Sequence, residues 1–225
     1  MLFLAVTLGF LVENLREHKI ENQREKEYIR AMIEDLKQDT ASFHSVINSN
    51  LMSAAQIDSL IHWLKKKPED IPLKRVYYLA RLIPLTDADL TCQDKTFKQL
   101  TGSGGLRLIH NTTSQNKIGD YYLNGIGLSQ MQYQNRRDLF ESYHLLFDAG
   151  VFQDIIKSRT DTSVHIADNR FILLSNDPVV INNICTRFHI MYSYRKVVSV
   201  MANRYINQAT DLIVYLQDKY HMKEE

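Results

Sequence analysis

Apolar and polar positions alternate along this chain with a helical rhythm in nearly every segment. From Ile29 onward, apolar residues recur at three- and four-residue steps: Ile29, Met32/Ile33, Leu36, Phe43, Ile47, Leu51, Ala54, Ile57, Ile61 and Leu64. Such a stripe marks one face of an α-helix that needs a partner. With no Gly or Pro between Phe10 and Lys67, the pattern predicts a first helix from near Leu2 to about Lys65, with room for a local kink or break at Asp39-Thr40 where the stripe is interrupted. The end of the chain mirrors it. Asp177 offers a capping carboxylate and Pro178 stands at the first helical position. From there to about His221 the stripe Ile181, Ile184, Phe188, Met191, Tyr194/Arg195, Val198, Met201, Tyr205, Ala209, Leu212/Ile213, Leu216, Tyr220 keeps a helical period.

Between these lie shorter segments. "KKKPEDIP" (Lys65 to Pro72) forbids continuation of the first helix. "LKRVYYLARLI" predicts a second helix that stops before Pro84. Asp94 is placed to cap "KTFKQL", a short helix ending at "GSGG" (Gly102 to Gly105), with "LRLIH" as one more helical turn. A longer helix is expected over about Ser114 to Leu146, weakened in its first half by Gly119, Gly125 and Gly127, and a short one over about Phe152 to Lys157. Strand-like alternation is hard to find anywhere. The predicted fold is all-α: an elongated helical bundle with long N-terminal and C-terminal helices.

The first helix changes character along its length, and this carries most of the functional information. Residues 1–12 contain no charge, whereas residues 13–28 are polar nearly all round, with Leu15 and Ile20 the large apolar exceptions. A helix polar on every side bridges solvent instead of packing. The sequence therefore divides into a membrane-associated segment (1–12: Leu2, Phe3, Leu4, Val6, Leu8, Phe10, Leu11, Val12), a polar helical stalk (13–28) and a helical bundle domain (29–225). Twelve helical residues reach about 18 Å, short of the roughly 30 Å of a bilayer's hydrocarbon core. The segment reads as the end of a longer spanning helix, as a partly inserted or interfacial helix, or as a helix buried on all sides in the bundle. Its position beside a charged stalk favours attachment to lipid. No basic n-region or cleavage pattern marks it as a secretory signal.

Composition narrows the function classes. The net charge is +1, with 44% hydrophobic and 24% charged residues among 225. No strong field and no basic stripe interleaved with aromatics favours nucleic acid. Cys92 and Cys185 stand far apart without a CxxC; two isolated buried thiols are favoured over one disulfide. Glu141, His144 and Asp148 are spaced to share one helix face, but ExxH is half of a carboxylate di-metal site and no second ExxH occurs. The eight histidines (His18, His44, His62, His110, His144, His165, His189, His221) show no HxxxH or HExxH spacing. "GSGG" lacks the preceding strand and the following Lys-Ser/Thr of a phosphate loop. It reads as a turn motif (Phe97, Leu100, Gly102, Gly104, Arg107) that returns Leu106, Leu108 and Ile109 to the bundle, with Arg107 capping carbonyls or pairing with a carboxylate such as Asp94. "NTT" at Asn111 matches a glycosylation sequon of little weight. Tyr77, Tyr78, Tyr121, Tyr122, Tyr133, Tyr143, Tyr192 and Tyr194 sit on helices as amphipathic packing residues. No catalytic residue, metal ligand or cofactor is expected.

Two stretches carry a family resemblance. "LGFLVENLREHKIENQREKEYIRAMIEDLKQDTASF" and, downstream, "DKTFKQLTGSGGLRLIHN" followed by Tyr121-Tyr122 resemble a family of uncharacterised, helix-rich, single-pass membrane proteins of the Bacteroidetes lineage. In that family an apolar spanning helix passes into a polar run and then a "KxYLxxLxxDLxxD"-like helix, matched by Lys26 to Asp39; a Thr/Phe/Leu helix, a Ser-Gly turn and "LRLI" before Asn follow. The resemblance spans most of the chain outside residues 145–175, and the Trp often found at the membrane exit is replaced in the Leu15 region. It implies a bacterial inner-membrane protein whose helical domain lies outside the bilayer, on the periplasmic side, and it implies no activity. Together these readings give the expected function: a membrane-anchored helical scaffold or assembly protein without enzymatic activity, bound to lipid through its N-terminal segment and paired with itself or another helical protein. An extracytoplasmic ligand-binding sensor is the alternative.

Overall fold

In the computed structural model of the chain, residues 2–83, 88, 90–102, 104–161, 163 and 165–222 are described. Among them are six α-helices: α1 (Leu2–Leu64), α2 (Leu73–Leu82), α3 (Lys95–Gly102), α4 (Thr112–Tyr143), α5 (Ala149–Thr160) and α6 (Pro178–Lys219). A single antiparallel bridge joins Phe147 and Leu173. The all-α class and the long terminal helices stand as predicted. The side chains of Leu2, Phe3, Leu4 and Tyr133, together with Ser103 of the glycine turn and Pro84, lie outside the described residues.

Boundaries differ where a cap was misread. α4 begins at Thr112 because Asn111 Oδ1 accepts from the Ser114 N–H at 2.9 Å, so the sequon asparagine is a helix cap. α5 is longer than expected because Asp148 caps it, its carboxylate accepting from the Val151 N–H at 2.9 Å. α3 starts directly after Asp94, as expected, and the Asp94 carbonyl accepts from the Lys98 N–H at 2.8 Å, but the carboxylate turns elsewhere. That carboxylate pairs with Lys98 at 2.8 Å, while the Thr96 N–H donates at 3.2 Å to Asp35 on α1. No break occurs at Asp39-Thr40: α1 is helical through both residues, and Asp39 is fully buried on the apolar face.

Two compact units make up the chain. Unit 1 comprises residues 1–42, 91–127 and 204–225; unit 2 comprises residues 43–90 and 128–203. α1, α4 and α6 each contribute to both.

In unit 2 the core is continuous and aromatic. Tyr77 lies at its centre, with Phe147, Phe152 and Phe171 at ring-centroid distances of 5.2, 5.5 and 5.5 Å. Ile57, Leu60, Leu64, Val76, Ile83, Ile155, Ile184 and Phe188 close around them. The Tyr77 hydroxyl donates to the Ile172 carbonyl at 2.6 Å and accepts from the Asp148 N–H at 2.8 Å. A buried phenol is thereby satisfied wholly by backbone, as burial requires. The Tyr143 hydroxyl likewise donates to backbone, to the Ala80 carbonyl at 2.9 Å. Leu51, counted in the predicted stripe, is exposed instead.

Unit 1 packs the start of the α1 stripe (Ile29, Met32, Ile33, Leu36) with Phe97 and Leu100 of α3, Ile109, Ile118, Tyr121 and Tyr122 of α4, and Tyr205, Ala209, Leu212 and Leu216 of α6. Gly102 ends α3, and Gly104 adopts the left-handed conformation (φ 66°), which costs glycine least. Ile109 is fully buried beyond it. Arg107 is exposed and Asp94 is engaged by Lys98, so the suggested Arg107–Asp94 pair does not form.

Among the described residues no helix is long and apolar enough to cross a membrane. Val6, Leu8, Phe10, Leu11 and Val12 are all exposed, Phe10 to 74%, which removes the reading of this segment as a helix buried in the bundle.

Candidate functional site

Among the described residues, unit 1 buries two carboxylates, and both lie on α1. A carboxylate is expensive to bury unless donors surround it, so each marks a place where the rest of the unit has been arranged around it.

The first is Glu25, within the run read as stalk and only 6% exposed. Its Oε1 accepts from the His110 N–H at 3.0 Å and from the Tyr220 hydroxyl at 2.8 Å; its Oε2 lies 2.8 Å from His110 Nδ1. The polar run is thus exposed from Glu13 to Ile20, and packing begins at Glu21 and Glu25. The hydrogen bond to Glu25 raises the imidazole pKa of His110 above its ordinary value, against a small effect of burial, with the charges of Glu25 and Glu21 adding to the rise. Next to this cluster, Asn111 Oδ1 also accepts from the Tyr215 hydroxyl at 3.3 Å, and Gln115 Nε2 donates to the Leu106 and Ile109 carbonyls at 3.1 and 2.7 Å. The glycine turn, the start of α4 and the end of α6 are all tied to α1 here.

The second is Asp39. Tyr121 donates its hydroxyl to Oδ2 at 2.6 Å, and the Gln93 N–H donates to Oδ1 at 2.7 Å. Burial pushes the carboxyl pKa up to about 6; the two hydrogen bonds pull against this, and the charges of Asp35 and Asp94 add to it. Burial, with Asp39 nearby, pushes the Cys92 thiol up to about 12. That thiol stays protonated and is a poor nucleophile. Both cysteines are free. Phe97 stacks on Tyr122 at 4.8 Å and Tyr121 meets Tyr122 edge-on at 5.0 Å. The Tyr122 hydroxyl is buried without a hydrogen-bond partner among the described residues; burial, with Asp35 and Asp39 next, raises its pKa. On the outer side of Tyr121 lies an open groove of ≈ 220 Å³, lined by Lys117, Asp120, Asn124, Gln208, Asp211 and Leu212 as well.

The histidine-carboxylate triplet is not brought together. α4 ends at Tyr143, so the three residues share no helix face: Glu141 pairs with Arg137 at 2.8 Å, His144 is exposed in the following turn, and Asp148 caps α5. Among the described residues no group of three or more His, Cys, Asp or Glu side chains is placed to hold a metal ion. Sequence reasoning missed Glu25 and Asp39. Asp39 carried a signal, since it occupies an apolar-stripe position three residues after Leu36 and four before Phe43. Glu25 carried none: it is one acid among several, and its role depends on where His110 and Tyr220 arrive.

The chain matches no protein-family pattern, no curated protein and no solved structure.

Proposed function

We propose that this protein is a lipid-attached helical scaffold without catalytic activity, held at a membrane surface through residues 2–12 and self-associating through its helical domain. The observation that carries the reading is the all-round exposure of the apolar start of α1. At 100° per residue, Val6, Leu8, Phe10, Leu11 and Val12 point to every side of the helix, and all are exposed. A protein groove covers one face of a helix; lipid covers all of them. Insertion into one leaflet needs no spanning length. The resemblance to single-pass Bacteroidetes proteins supports the same attachment, at a bacterial inner membrane.

Flotation of the full chain with zwitterionic phosphatidylcholine vesicles tests this. The wild-type chain rises with the vesicles, and L8D/F10D/L11D stays in the dense fraction with an unchanged circular-dichroism spectrum. Equal flotation of the two, or none for the wild type, overturns lipid attachment. A monomer mass in detergent by light scattering overturns self-association. The ligand-sensor reading draws on the groove beside Tyr121, where carboxylates, amides and Lys117 converge. A small-molecule panel that raises the melting temperature of the wild type but not of Asp211→Ala would favour it.

A further inference from the structure

Four cations of α1 beyond its apolar tip share one line along the helix. Lys19, Lys26, Arg30 and Lys37 are spaced seven, four and seven residues apart, which puts them within about 40° of one line along the helix. Glu17, Glu21 and Glu25 recur every four residues on the opposite side, where Glu25 packs into unit 1. The four cations are exposed. Lys37 is paired with Glu34 at 3.0 Å; Lys19, Lys26 and Arg30 have no ion-pair partner among the described residues. They line two adjoining surface depressions of unit 1, of ≈ 400 and ≈ 340 Å³. The first holds Lys19, Lys26 and Arg30 with Glu27. The second holds Lys26, Arg30, Lys37 and Glu34 with His221 from the end of α6.

Val12, seven residues before Lys19, lies on the same line, so the cationic face continues directly from the apolar tip. A short apolar segment alone gives weak, reversible attachment, and stable attachment takes a second contribution such as a basic surface. We propose that the Lys19–Lys26–Arg30–Lys37 face of α1 docks on anionic lipid headgroups, so that this stretch of the helix meets the membrane surface and the tip enters the same leaflet. This inference rests on the lipid-attachment reading and deepens it. Anionic lipid fits this face because the cations form a line running away from a greasy end, and a planar anionic surface meets both features at once.

The test compares neutral phosphatidylcholine vesicles with vesicles containing about a third phosphatidylglycerol, using the full chain and K19Q/K26Q/R30Q. These positions are exposed, and an unchanged melting temperature checks that the fold is kept. The expected result is wild-type partitioning at least about tenfold stronger onto the anionic vesicles, declining with added salt. The triple variant loses that preference and binds neutral vesicles as the wild type does. Equal wild-type binding to both compositions, or an unchanged preference in the variant, overturns the inference while leaving tip insertion intact. Anionic binding retained by L8D/F10D/L11D while its neutral binding is lost upholds the basic face as a separate contribution, and tip insertion is overturned only if the variant also keeps its neutral binding. Wild-type binding to polyglutamate with none to either vesicle assigns the face to acidic protein and overturns both.

Discussion

The two units solve the same problem, burying polar atoms inside helices, by different chemistry. Unit 2 turns its buried phenols onto the backbone: Tyr77 bridges the Asp148 N–H and the Ile172 carbonyl, and Tyr143 reaches the Ala80 carbonyl. None of those partners titrates. Unit 1 turns its phenols onto carboxylates, Tyr121 onto Asp39 and Tyr220 onto Glu25, and adds an imidazole. A backbone partner fixes geometry at every pH; a carboxylate partner makes packing depend on protons. Unit 2 is therefore the pH-indifferent half at its core, and unit 1 the responsive one.

The largest expected effect breaks the aromatic side of this contrast. Tyr77→Ala removes a ring in contact with three others and strands the Asp148 N–H, and is expected to cost about 3–5 kcal/mol in urea unfolding. Its effect should be the same at pH 5 and pH 7.

A second measurement sharpens the other side. The folded-state pKa of Asp39 stands above its ordinary 3.8, at about 6, so the folded state holds the proton more tightly than the unfolded chain. The associated stability is fully present below about 4 and is lost as pH rises through about 6, amounting to about 3 kcal/mol. His110 acts in the same sense: its raised pKa gives a contribution present below 6.5 and lost as pH rises beyond its folded value. Native-state hydrogen exchange, corrected for intrinsic rate, should show protection of unit 1 amides falling between pH 4 and 7 more steeply than that of unit 2 core amides. Asp39→Asn should remove most of the slope. A parallel decline in both units, or a slope unchanged in the variant, would refute the contrast.

The smallest effect lies in the backbone. Gly119 is helical in α4, and an added Cβ there meets nothing within 4 Å. Gly119→Ala should stabilise the protein by about 1 kcal/mol, read as a rise in melting temperature independent of pH.

Much of this fold was legible because helices write themselves in local periodicity. The stripes of α1 and α6 hold at most positions, and Gly102–Gly104 turned the chain where glycine was expected. What stayed hidden is long-range. Asp39 looked like a flaw in a helix because its partners, Tyr121 and the Gln93 N–H, stand far along the chain. Glu25 looked like one of several stalk acids for the same reason. The all-α class followed from pattern alone; the buried acids depended on which elements meet.

The start of α3 shows what such dependence entails. At eight residues it is too short to hold itself helical in water, and the Thr96 N–H in its first turn is held by Asp35 of α1. Its winding is thus conditional on α1 having already arrived. An excised peptide covering residues 90–111 would be coil, and in the refolding chain α3 would form only after docking, making its amides a clock for the assembly of unit 1.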